Sequence, residues 1–390
     1  MSKRKYLVLF GVLSAQLTIA ALYAWSILSV AIINEMSWSE NEVLVAYLIA
    51  QFVFAFSTIF SGRLVDKKGP KVTLIIGGIL YGGGLMLSSL ATTPFMLVIT
   101  YGVITGAGVG FVYVCPLSTL IKWFPKNKGT ITGLSVAVFG GGSIIFKEVI
   151  GFLLKNNDVS QSFLILGLIS MVIIILGALL VSLPEGYTKA TMVKTDDDYT
   201  TTEMIKTTNF KKIWFMYWLA VIPGLLVLGA AKNIGISANL SVAAAGGLVT
   251  VLAISNASSR LISGSLSDKF GTLRMLKVIF MITIGSLVII SIFSDVTFLF
   301  YMAIIGIAVG YGGFLSLFPT FTNQQFGSYR YGSNYGIVYQ AYGLAALSGI
   351  FIKSISGSYT NTFIISALAG VIGLAIAFTV KEKQVSYLEN

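Results

Sequence analysis

Five charged side chains fall inside long apolar runs of this chain: Lys147, Glu148, Lys232, Arg260 and Lys353. An ionisable group at membrane depth is costly, so each is a functional candidate by default. Arg260 has the most suggestive neighbours. Asn256 precedes it by four residues and shares its helical stripe, and Ser255, Ser258 and Ser259 make that surface polar. A guanidinium fork beside an amide suits a carboxylate, which it can hold through two parallel hydrogen bonds. The alternative is an arginine snorkelling to cytoplasmic headgroups; the serines argue for a bundle-facing position instead. Lys232 and Lys353 lie near the outer ends of their runs and read as snorkelling residues. Lys147 and Glu148 sit in the outer half of another run, pointing about 100° apart and poorly placed to pair. Buried, Glu148 would be a candidate proton carrier; facing water, it would be a rim residue, and both readings stay open. Rings and hydroxyls able to shape a cage for a small anion are Tyr23, Trp25, Tyr113, Tyr311, Tyr339 and Tyr342, with Gln16 as a further polar group. Taken singly, each aromatic is more often packing or an interface anchor.

The elements that must carry these groups are membrane helices. The chain of 390 residues is 56% hydrophobic and 11% charged, against about a quarter charged in soluble domains. Breaks at charged or turn-rich segments leave spans near 7–33, 43–62, 72–91, 97–121, 130–154, 162–183, 213–236, 244–264, 275–294, 297–320, 332–356 and 362–380. Each approaches or exceeds the roughly 20 residues a bilayer core demands, and continuous apolar runs exclude a barrel. The expected fold is an all-α membrane protein with twelve transmembrane helices. The formal charge of +11 is topological, which removes nucleic acid as a partner. Bases cluster at Lys3 to Lys5, Arg63 to Lys71, Lys122 to Lys128, Lys189 to Lys212, Lys269 to Lys277, Arg330, Lys381 and Lys383, while the intervening loops hold Glu35, Glu40, Glu42, Asp158 and Asp295. That asymmetry predicts a cell-membrane protein with both termini and the central loop in the cytoplasm. The first span is expected to stay as a start-transfer helix, and the lone Cys115 has no partner for an internal disulfide.

The pattern G-x-L-x-D-K-x-G occurs at Gly62–Gly69 and again at Gly264–Gly271, 202 residues apart. Close to that offset, Gly106 and Gly110 match Gly306 and Gly310, Pro116 matches Pro319, Phe124 matches Phe326, Gly133 matches Gly336, and Phe139-Gly140 matches Tyr342-Gly343. Such order implies two pseudo-symmetric six-helix bundles related by an axis along the membrane normal. The expected division is 1–183, a cytoplasmic linker over 184–212, and 213–390. Within the repeated pattern, the glycines permit close backbone approach, and Asp66 and Asp268 can accept from helix N-termini. Such a pin would hold one half against the other in one state and release in the next.

The two loop signatures resemble those of the major facilitator superfamily. Leu22-Tyr-Ala-Trp-Ser26, Gly108-Val-Gly-Phe-Val-Tyr113, Trp123-Phe-Pro-Lys126 with Gly129, and Asn334-Tyr-Gly336 are similar to the oxalate/formate antiporter family, itself similar to proton-linked monocarboxylate transporters. That resemblance implies a substrate arginine at Arg260 with its asparagine at Asn256. It places spans one, four, ten and eleven around a central cavity, and Tyr23, Tyr113 and Tyr311 match family aromatic positions. Two departures stand out. The second basic residue, a lysine in oxalate transport, is replaced by Tyr342, and an aromatic near Leu315 is missing. A dicarboxylate needs two positive charges for desolvation and a monocarboxylate one, so Tyr342 tilts the expected substrate toward lactate, pyruvate or formate.

The expected function is a secondary transporter of small carboxylates by alternating access, with proton symport or anion exchange, working as a monomer in the lipid bilayer. An oxalate/formate-type antiporter is one alternative, and an anion-sensing membrane protein without turnover another. A drug or sugar exporter is disfavoured by the single central arginine and the sparse acids and amides. The sequence holds no histidine, metal-ligand cluster or nucleophile–base pair, so neither an enzyme nor a cofactor is expected. Gly102, Gly106, Gly108 and Gly110 suit helix packing, and no Walker lysine follows them.

Overall fold

The computed structural model describes residues 2–185, 187, 194–195 and 197–381. Lys189, Asp196 and Lys383 lie outside them, as do the side chains of Glu40, Lys232 and Lys353. The described membrane elements are helices. We label them α1 (Lys3–Met36), α2 (Glu40–Lys68), α3 (Pro70–Ser88), α4 (Pro94–Trp123), α5 (Lys128–Asn156) and α6 (Val159–Leu180). The series continues with α7 (Thr208–Ser237), α8 (Val242–Phe270), α9 (Thr272–Ile292), α10 (Thr297–Phe326), α11 (Tyr331–Val338 with Gln340–Ser356) and α12 (Tyr359–Thr379). A six-residue helix, Thr201–Lys206, precedes α7.

Among the described residues, ten of these helices are long and apolar enough to cross a membrane. The other two are α8, which carries Asn256 and Arg260, and α11, which a turn at Tyr339 divides. Together they complete the twelve-helix, two-bundle fold. Phe52, Phe56 and Phe60 show its environment, standing half exposed one helical turn apart on α2 with ring centroids 6.2 and 5.7 Å apart. Water would penalise such a stripe, whereas lipid accepts it.

The chain forms two compact units. The first holds Met1–Pro125, Val138–Asp198 and Ser328–Ile337; the second holds Lys126–Ala137, Tyr199–Gly327 and Val338–Asn390. The early turns of α5 thus belong with the second unit, and those of α11 with the first. Hydroxyls hold helices together in the first unit: Ser61 Oγ donates to the Gly110 carbonyl at 2.8 Å, and Ser88 Oγ to Thr100 Oγ1 at 3.0 Å. In the second, Trp218 Nε1 donates to Ser348 Oγ at 3.0 Å, and Ser259 Oγ to the Val309 carbonyl at 2.5 Å. Such interhelical bonds average about 0.6 kcal/mol each in a membrane, so packing around Leu248, Leu252, Leu287, Ile304 and Phe363 supplies most of the cohesion there.

Three helices are irregular. α1 tightens to a 3₁₀ helix over Ile19–Ala24, carrying Tyr23 just before Trp25. α4 widens to a π-helix over Val98–Thr105. α7 contains Pro223 and kinks at Ala230. Such interruptions free backbone groups and redirect the helix that follows.

Candidate functional site

The repeated sequence pattern resolves into three physical jobs. The first glycine permits backbone to meet backbone: a Cβ on Gly62 would strike the Gly332 carbonyl, and one on Gly264 the Gly129 carbonyl. The aspartate caps a helix. Asp66 accepts from Gly332 N at 3.2 Å and Ser333 N at 2.7 Å in the first turn of α11. Asp268 accepts from Gly129 N and Thr130 N, both at 2.8 Å, and from Thr130 Oγ1 at 2.6 Å, at the start of α5. A carboxylate there satisfies orphan N–H groups and meets the positive end of the helix dipole. The last glycine turns the chain, with φ of +86° at Gly69 and +88° at Gly271, a region that favours residues without a Cβ. Each aspartate therefore ties a helix from its own half of the sequence to one from the other half.

In the second unit, Arg260 is 1% exposed. Its Nε donates to Asn256 Oδ1 at 3.0 Å, and its Nη1 to the Val136 carbonyl at 2.7 Å. Among the described residues these partners are neutral oxygens. A fully buried guanidinium without an acid beside it is expensive. The four-residue spacing read from the sequence is the spacing of the Arg260–Asn256 hydrogen bond. The neighbouring helices come close to the same turn: a Cβ on Gly133 would meet the Arg260 carbonyl at 2.5 Å, and one on Gly312 would meet Asn256 Oδ1 at 2.9 Å.

Tyr311 adjoins Gly312 and forms the second group of this unit. Its hydroxyl lies 3.2 Å from that of Tyr342, both rings buried, and Tyr342 stacks on Tyr339 at 4.9 Å. Tyr217 continues the cluster, 6.3 Å from Tyr339 and stacked on Phe318 at 4.3 Å. The first unit contains a counterpart. Phe139, the repeat mate of Tyr342, lies 4.8 Å from Tyr23, 5.3 Å from Tyr113 and 6.1 Å from Phe54. Gln16 is buried nearby in sequence, and neither amide atom has a partner among the described residues; the same holds for Trp25 Nε1. Lys147 and Glu148 are both exposed on α5.

Sequence reasoning missed three contributors. The Val136 carbonyl carries no side-chain signal. Phe139 was visible only as the partner of Tyr342 in the repeat. Lys122 reads as a loop base, yet it is 5% exposed at the end of α4, and its charge acts on Asp66 electrostatically.

A polytopic helical bundle with internal duplication and a buried cation on one of its long helices defines the class: a membrane transporter. The chain belongs to the Major Facilitator Superfamily, whose model matches residues 8–350. It is 30% identical over 353 residues to the uncharacterized MFS-type transporter YhjX of Escherichia coli, covering 88% of this chain and 86% of that protein. It is 28% identical over 379 residues to the oxalate:formate antiporter of Oxalobacter formigenes, covering 95% and 90%. The crystal structure of the superfamily transporter FucP in the outward conformation matches with a TM-score of 0.73 at 14% identity, covering 97% of this chain and all of that one.

Proposed function

We propose that the protein is a secondary transporter of small monocarboxylates of the lactate, pyruvate or formate type. The observation that carries this is Arg260: a buried cation whose described partners, Asn256 and the Val136 carbonyl, bear no charge. One carboxylate would balance one guanidinium, and two of the five guanidinium donors are already engaged in orienting it. Asn256 fixes the plane of the fork, and the Tyr311–Tyr342 hydroxyl pair adds, among the described residues, neutral hydrogen-bonding groups. Tyr23, Tyr113 and Tyr339 complete the proposed set of substrate-contacting aromatics. Neutralising Arg260 favours the closed state of the six-helix halves, 1–183 and 213–390, and so supports alternating access. Asp66 and Asp268 gate the exchange by releasing their helix caps, and Glu148 with Lys147 is the proposed route to proton coupling. The protein acts as a monomer in the cell membrane, with both termini and the 184–212 linker cytoplasmic.

The likeness to an oxalate:formate antiporter favours a second reading, dicarboxylate exchange. Uptake of labelled lactate, pyruvate, formate and oxalate into proteoliposomes, with and without a pH gradient, separates the two. Gradient-driven monocarboxylate uptake is expected; oxalate exchange indifferent to the gradient would overturn the one-charge reading. Binding of the same anions with no uptake would instead make the protein a sensor.

A further inference from the structure

A groove of about 490 Å³ runs between α7 and α12. Lys211, Lys212 and Thr379 form its mouth, and its walls include Phe215, Val371 and Ile372. These wall residues are exposed on the outer surface of the helices. The groove descends eight residues along α12 from Thr379 to Val371, about 12 Å at the helical rise. Among the described residues its lining includes no acid. Lys212 Nζ donates to the Thr379 carbonyl at 2.8 Å, which satisfies a carbonyl of the last helical turn and pins the ammonium at the mouth with two donors left. Lys277 of α9 adds a further positive charge at this turn, its ammonium 4.5 Å from the Phe378 ring centroid.

We propose that this groove is a binding site for an anionic phospholipid, with the phosphate on Lys211 and Lys212 and one acyl chain along Phe215, Val371 and Ile372. Charge complementarity selects the occupant. Basic clusters at the cytoplasmic ends of membrane helices meet the leaflet that holds acidic headgroups, and the basic loops place this end of α7 there. A free phosphate would use the lysines but leave an apolar wall about 12 Å long without purpose.

Trp214 and Trp218 report on the site, with ring centroids 5.6 and 5.8 Å from that of Phe215. The test is tryptophan quenching of the full-length protein in nanodiscs of phosphatidylcholine carrying increasing brominated phosphatidylglycerol or brominated phosphatidylcholine. Phosphatidylglycerol is expected to quench at about thirtyfold lower mole fraction, two lysines each contributing to the preference. K211A/K212A should bring the two lipids level, while K211R/K212R should keep the difference. Equal quenching by both lipids in the native protein, or a preference that survives K211A/K212A, overturns the proposal. Loss of the preference through addition of inorganic phosphate at constant ionic strength would also overturn it, showing an anion site rather than a lipid site.

Discussion

The single charge at Arg260 gives the sharpest residue-scale predictions. Arg260→Gln removes the only charge of its hydrogen-bonded group with Asn256 and Val136. Losing one member of a buried charged pair costs about 2–5 kcal/mol, so substrate affinity should fall at least thirtyfold. Arg260→Lys keeps the charge but not the fork and should recover only part of it. Lactate binding by tryptophan fluorescence reads both, and unaltered binding by Arg260→Gln would remove the arginine from the site. Tyr342→Lys tests the other half of the charge count. It places an ammonium beside the Tyr311 hydroxyl, now 3.2 Å from that of Tyr342. Oxalate uptake should rise and lactate uptake fall, a reversal that counterflow assays would show directly.

At the scale of elements, the two aspartate caps look equivalent in sequence but differ in their surroundings. Asp268 is exposed and caps α5 through three donors. Asp66 caps α11 and is also acted on by the charge of buried Lys122. Asp268→Asn should therefore cost about 1 kcal/mol, the worth of a charge at a helix terminus. Asp66→Asn should cost more than that, because buried Lys122 also loses an opposing charge that acts on it. Lys122→Met added to Asp66→Asn should restore most of that loss. Thermal unfolding in detergent reads the series, and equal losses from the two aspartates would refute the asymmetry. Gly264→Val belongs here as well: its side chain would force apart the backbones of α5 and α8 at Gly129 and Gly133. Reduced stability together with lost uptake is the expected result.

For the molecule as a whole, the open quantity is coupling. A one-unit pH gradient can support about tenfold accumulation of an anion carried with a proton. Glu148→Gln should abolish that accumulation while leaving carboxylate exchange at equilibrium intact. Proteoliposomes measure the two modes separately, and accumulation by the variant at the native level would assign the proton to another group.

Much of this was written in the chain itself, because bilayers enforce it. Length and hydropathy of the spans, the basic loops and the duplicated pattern at Gly62 and Gly264 determined a helical membrane protein built from two halves. The Arg260–Asn256 stripe was equally legible, since helical geometry alone makes residues four apart neighbours. Tertiary structure decided everything that depends on elements meeting. Only it could bring the Val136 carbonyl to Arg260, the Tyr311 hydroxyl to Tyr342, and Lys122 to Asp66. It also decided that the early turns of α5 belong with the second unit and those of α11 with the first. Local pattern cannot encode such partners, because a helix interior looks alike in sequence whether it faces lipid, a backbone carbonyl or a charge.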